Sequence, residues 1–145
     1  MPITFTNNFK NILDKLQSVF RTEFKNTLPV FVGEENEKVG SQFLRLDPIG
    51  SELIEYNVNA ELREYTINIF LYFGDKSHSR TKLDAVLRLV SRIEALIHDN
   101  ISMTLSDSSN LFNNRLESTT LDAVEDSENY VVQFVFQGQH LGNLD

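Results

Sequence analysis

Arg63-Glu-Tyr-Thr-Ile-Asn-Ile-Phe-Leu-Tyr-Phe-Gly74 is the stretch on which the rest of the chain hangs. Tyr65, Ile67, Ile69, Leu71 and Phe73 alternate with Glu64, Thr66, Asn68, Phe70 and Tyr72. A period of two, carried by β-branched and aromatic residues, predicts a strand with one face in the core. The polar run Asp75 to Ser79 breaks the alternation, and from Leu83 the period becomes helical. A long strand feeding a helix of about five turns is the centre of an α+β domain.

Upstream of that strand, Glu52 to Ala60 alternates Ile54, Tyr56 and Val58 against Leu53, Glu55 and Asn57. It reads as a strand that runs into the long one through a bend near Ala60-Glu61. Phe43 to Leu46 is a short strand, closed by the turn sequence Asp47-Pro48-Ile49-Gly50. Leu28 to Val32 is another. Between these two lies Gly33 to Gly40, a flexible acidic loop between glycines. Phe9, Ile12, Leu13, Leu16, Val19, Phe20 and Phe24 recur at steps of three and four, which predicts an amphipathic helix from Asn8 to Phe24, with Asn7 or Asn8 as its cap.

Downstream, Leu83, Val86, Leu87, Val90, Ile93 and Ile97 form one face of a helix over Thr81–His98, widened by Leu89 and Leu96. Ser79 and Thr81 are cap candidates. Arg88 and Arg92, with Glu94 nearby, read as a solvated face. The Ser/Asp-rich run Ser106 to Asn110 ends this region. Arg115–Val124 and Asn129–Gln137 are two strands of a hairpin joined by Glu125-Asp-Ser-Glu128, with Tyr130, Val132, Phe134 and Phe136 on one face. Gln139 to Asp145 reads as a polar tail. The expected architecture is α+β: a single antiparallel or mixed β-sheet with two main α-helices packed on one face, in one domain over residues 1–145. Tyr65, Ile67, Ile69, Leu71, Val132, Phe134, Leu87 and Val90 are the expected core.

The totals fit this reading. A chain of 145 residues buries about 70% of its unfolded surface, enough for a core without staples. Its hydrophobic share of 41%, with eleven Phe and four Tyr, is that of a globular domain. There is no cysteine, which excludes disulfides and thiolate metal sites. The opening Met1-Pro-Ile-Thr-Phe-Thr-Asn-Asn has no basic run followed by an apolar one, so no signal peptide is expected. Without a secretory route, the glycosylation triplet Asn100-Ile101-Ser102 is a chance match. No apolar run approaches the ~20 residues of a membrane span. The net charge of −8 argues against sequence-independent binding to nucleic acid, because an acidic surface repels phosphate.

Chemistry-bearing motifs are missing. No P-loop, GxGxxG or GxSxG occurs. His78, His98 and His140 are far apart, each without a second ligand at metal spacing, and read as surface histidines. Glu34, Glu35 and Glu37 form one acidic cluster; Asp122, Glu125, Asp126 and Glu128 form another, without the glycine turn of a calcium loop. Both read as solvated turns. Phe70, Tyr72, Val131 and Val135 fall on the faces opposite the core stripes. Either a helix covers them or they form an oligomer or partner interface.

The element order (helix, short strands with a flexible loop, the Arg63-Glu-Tyr-Thr-Ile-Asn-Ile strand, capped helix, and hairpin ending in Tyr130-Val-Val-Gln-Phe-Val-Phe) resembles that of phage tail terminator, or tail completion, proteins from about Phe9 to Gln137. Those proteins form a ring at the head-proximal end of the tail tube, stop its polymerisation and present a surface to the head connector. The resemblance implies a structural virion protein of the tail or neck, assembled in the host cytoplasm, with no enzymatic activity, cofactor, metal or membrane. It implies a homo-oligomeric ring, a hexamer, with the tail tube protein, the head–tail connector protein and the tail sheath as partners. DNA would pass through without specific binding, and Glu34, Glu35 and Glu37 would line the channel or touch the neighbouring ring. No functional residue carries over one for one. The alternatives are a neck or head–tail connector protein of the same assembly, and a small ligand-binding α+β domain, which would need a pocket with converging polar groups.

Overall fold

The computed structural model describes residues 6–25, 27–33, 42–73, 80–121 and 130–143. Two helices, α1 (Asn8–Glu23) and α2 (Arg80–Asp99), accompany six strands: β1 (Val30–Val32), β2 (Gln42–Tyr56), β3 (Ala60–Phe73), β4 (Met103–Thr104), β5 (Asn110–Leu121) and β6 (Tyr130–Asn143). The strands form one sheet in the order β1-β2-β3-β6-β5-β4. The β1–β2 pair is parallel and the others are antiparallel, so the sheet is mixed and the class is α+β.

The alternation of β3 is realised as read. Tyr65, Ile67, Ile69 and Leu71 are buried, and β6 sets Phe136, Phe134 and Val132 opposite Ile67, Ile69 and Leu71. These residues share one apolar cluster with Leu44 and Leu46 of β2, Ile12, Leu13, Leu16 and Phe20 of α1, and Val86, Val90, Ile93 and Ile97 of α2. Burying each such side chain stabilises the fold by roughly 1.5–3 kcal/mol. Asn7 caps α1, accepting a bond from the Lys10 amide at 3.0 Å. Arg92 of α2 reaches α1: its Nε donates to Glu23 Oε2 and its Nη2 to the Glu23 carbonyl, both at 2.8 Å, while the guanidinium lies 4.6 Å above the Phe24 ring. Thr119 of β5 donates to Glu94 at 2.9 Å. The face read as merely solvated therefore makes cross-element contacts.

Several expectations are corrected. Asp47-Pro48-Ile49-Gly50 is not a turn, because β2 runs through it. The ladder to β3 shifts register between Pro48 and Gly50, and β1 reaches only Leu44, Arg45 and Leu46. A proline without an N–H is tolerated at such a bulge on an edge. The chain reverses at Asn57–Asn59, not near Ala60-Glu61: Asn57 Oδ1 accepts from the amides of Asn59 and Ala60, each at 2.9 Å. Gln139 to Asn143 is not a tail but the end of β6, paired with Glu64 to Ala60. Its polar residues alternate, so Gln139 faces away from the core while His140 faces in. His140 is accordingly no surface histidine and is 3% exposed. Leu87 is 40% exposed, because one helical step of about 100° carries it to the margin of the stripe centred on Val86, Val90 and Ile93. The strand β4 and the early start of β5 at Asn110 have only short sequence signals. The cap candidates Ser79 and Thr81, together with His78, the loop glutamates Glu34, Glu35 and Glu37, and Asp122, Glu125, Asp126 and Glu128, lie outside the described residues or side chains.

Candidate interface on the second face of the sheet

The face opposite the core stripe carries an aromatic group at one end and a polar network at the other. The period of two that buries Leu44 and Leu46 turns Phe43 and Arg45 to this face, and in β1 it does the same for Phe31. Register then sets Phe43 against Tyr72 and Arg45 against Phe70. The Phe43 and Tyr72 rings stack at 4.6 Å, with Phe31 6.0 Å from Phe43 and Phe70 6.3 Å from Tyr72. The Arg45 guanidinium lies 5.0 Å from the Phe70 centroid and 5.3 Å from that of Tyr72. Asp47 holds the guanidinium through Nε at 3.1 Å.

The sequence-predicted residues Phe70 and Tyr72 are thus brought together in this group and are half-buried. Val131 pairs with Tyr72 on the same face and is 1% exposed, so it is buried in this chain by itself. Val135 is half-buried opposite Asn68, four residue pairs further along the ladder. Phe31, Phe43 and Arg45 were not singled out by sequence. Their signal was present, since Phe31 alternates with Val30 and Val32, and Phe43 with Leu44, leaving both faces apolar.

Toward the other end, Arg115 Nη2 donates to Glu64 Oε2 at 2.9 Å and to Gln137 Oε1 at 3.0 Å. Gln137 Nε2 donates to Thr66 Oγ1 at 3.2 Å and Gln139 Nε2 to Glu64 at 3.2 Å. Arg115 also pairs with Glu117. The Arg115 hydrogen bond, reinforced by that of Gln139, holds the Glu64 carboxyl below the usual carboxylate range despite partial burial. A groove of about 260 Å³ at this end is lined by Glu55, Asn57, Ala60, Leu62, Phe112 and Leu141. Glu55 and Asn57 are its polar side chains among apolar neighbours, and they do not make the convergent polar set of a catalytic or small-ligand site. Among the described residues, no group of three or more His, Asp or Glu side chains could hold a metal, and no helix is long and apolar enough to cross a membrane.

No protein-family profile matches the sequence, and no curated protein does. Solved structures do share the fold. One without a descriptive name superposes with a TM-score of 0.62 at 10% identity, over 96% of this chain and 97% of the other. A chain of the virion of a native gene transfer agent particle superposes with a TM-score of 0.56 at 12% identity, over 89% of this chain and 96% of that one.

Proposed function

We propose that this chain is a non-catalytic structural protein of a phage or phage-like virion, and that it closes the head-proximal end of the tail tube as a homo-oligomeric ring, six-fold by resemblance to the tail terminators. The observation that carries the reading is the fold shared, almost end to end, with a chain of a gene transfer agent virion. Element order supports the finer role. In this reading both helices lie on one face of the sheet, as the apolar cluster they share supports. The second face, with Phe43, Phe70 and Tyr72 held by Arg45, then meets a neighbouring protein. Aromatic residues and arginine are the types enriched in such contacts. The acidic balance suits a channel that DNA must traverse without sticking.

Native mass spectrometry of the protein, alone and with assembled tail tubes, tests the role. A ring on the tube end, with tube growth arrested, is expected. A protein that remains monomeric beside assembled tubes overturns it, and binding to the head connector but not to tubes transfers the role to the neck.

A further inference from the structure

The β2 strand carries more apolar surface than the fold uses. The β1 strand pairs with Leu44, Arg45 and Leu46 alone, so among the described residues the outer edge of β2 from Asp47 to Tyr56 has no strand beside it. Ser51 to Asn59 are exposed in unbroken succession, so among the described residues nothing covers either face of this end. The sheet here extends roughly 16 Å past the buried Tyr65, at about 3.3 Å per residue. Leu53 and Ile54 are nevertheless exposed, as are Tyr56 at 65% and Val58 at 88%. Soluble proteins blunt open edges with bulges and proline. Pro48 and the bulges at Pro48/Gly50 and Leu53/Glu55 do so here for the backbone. They leave the side chains open, which favours a contact made by side chains and not by an added strand.

The surface that receives this arm must be apolar and must answer Glu52 and Glu55, neither of which makes an ion pair among the described residues. Outside this arm, the exposed large apolar side chains among the described residues are Ile49, Leu87, Ile101, Leu121 and Leu141. Ile49, Ile101, Leu121 and Leu141 have no lysine or arginine beside them in the chain. Leu87 has Arg88 beside it, which is exposed and makes no ion pair among the described residues. The two line a shallow hollow on α2 with Ser91 and with Asp84, which is engaged in an interaction of its own. We propose that the β2–β3 arm of one copy, through Leu53, Ile54, Tyr56 and Val58, docks on the Leu87–Arg88 surface of a second copy, with Glu52 or Glu55 against Arg88. Donor and acceptor patches differ, so the contact is head to tail and propagates to a closed ring or a filament. It names the seam of the ring proposed above and rests on that reading for closure.

The absence of cysteine allows a direct test. Oxidation of a concentrated Val58→Cys/Leu87→Cys double variant is expected to give a ladder of disulfide-linked species beyond the dimer, with either single variant giving little. Reversing Glu52 and Glu55 to Arg, or Arg88→Glu, should lower the crosslinking yield several-fold, and combining the reversals should restore it. Unchanged melting of these surface variants excludes misfolding. No ladder, dimers through Val58 alone, or a yield indifferent to the reversals would each overturn the proposal. A ladder from a protein that ignores tail tubes sinks the virion role and leaves the seam; capped tubes without a ladder do the opposite.

Discussion

His140 faces the core, with Nε2 2.9 Å from Ser109 Oγ and its ring edge-on to Tyr65 at 6.3 Å. Burial pushes its pKa below the ordinary 6.5, and nearby Asp107 opposes this only in part. The unfolded chain then takes up a proton near 6.5 that the folded chain refuses until lower pH, so stability falls as pH drops below 6.5. The melting temperature should therefore decrease between about pH 7.5 and 5.5, and less so in His140→Gln; parallel profiles would show that another group dominates. Asp107 acts in a separate window. Hydrogen bonds from Ser109 lower its pKa, so its contribution is present above 3.8 and lost only in stronger acid. Gly138 is a steric case. A Cβ there would lie 2.4 Å from Asn114 Oδ1 and 3.0 Å from Leu111 Cγ. Asn114 is held in place by bonds from Nδ2 to the carbonyls of Asn100 (2.9 Å) and Leu111 (3.1 Å). Gly138→Ala should therefore destabilise by about 1–3 kcal/mol, read by chemical denaturation; a neutral effect would mean that Asn114 moves aside freely.

Among the elements, β3 is central, flanked on both sides and buried on its core face. Ile69→Ala leaves a cavity between β2 and β6 and should cost on the order of 2–5 kcal/mol. An unchanged melting temperature would place Ile69 outside the core. The α1–α2 pair is joined differently, by Arg92 on Glu23 and Phe24. The contact is partly solvated, so Arg92→Ala should cost only about 1 kcal/mol. Arg92→Lys should recover part of that at most, because an ammonium lacks both the fork and the flat face. Full recovery by lysine would assign the effect to charge alone. These elements were legible to different degrees. The stripes of α1, α2 and β3 are long and regular, so periodicity finds them. The β2 strand was divided in two because Pro48 and Gly50 carry turn propensity, and only neighbouring strands show that a bulge absorbs them.

For the whole molecule, the net charge of −8 bears on the proposed passage of DNA. The sequence assigns Glu34, Glu35 and Glu37 to a loop between two glycines. If that loop lines the channel, the triple change to Lys should leave folding intact and impair DNA ejection or tail joining, since lysines would hold phosphates that glutamates repel. Particles of normal infectivity bearing all three changes would remove the loop from the mechanism.

Local periodicity by itself determined the α+β class, both helices, the central strand and the core stripe, because each is written in the spacing of apolar residues along one segment. The second-face pairing of Phe70 and Tyr72 was half legible, since alternation assigns the face but not the occupants of the next strand. Only the tertiary structure brought in Phe43 and Arg45 through register, showed Val131 to be buried, and drew His140 from a supposed tail into the core. It alone also showed that, among the described residues, no strand pairs with the outer edge of β2 past Leu46, where the three-residue β1 ends. Register, edge and cover belong to partners distant in sequence, and no window along one strand contains them.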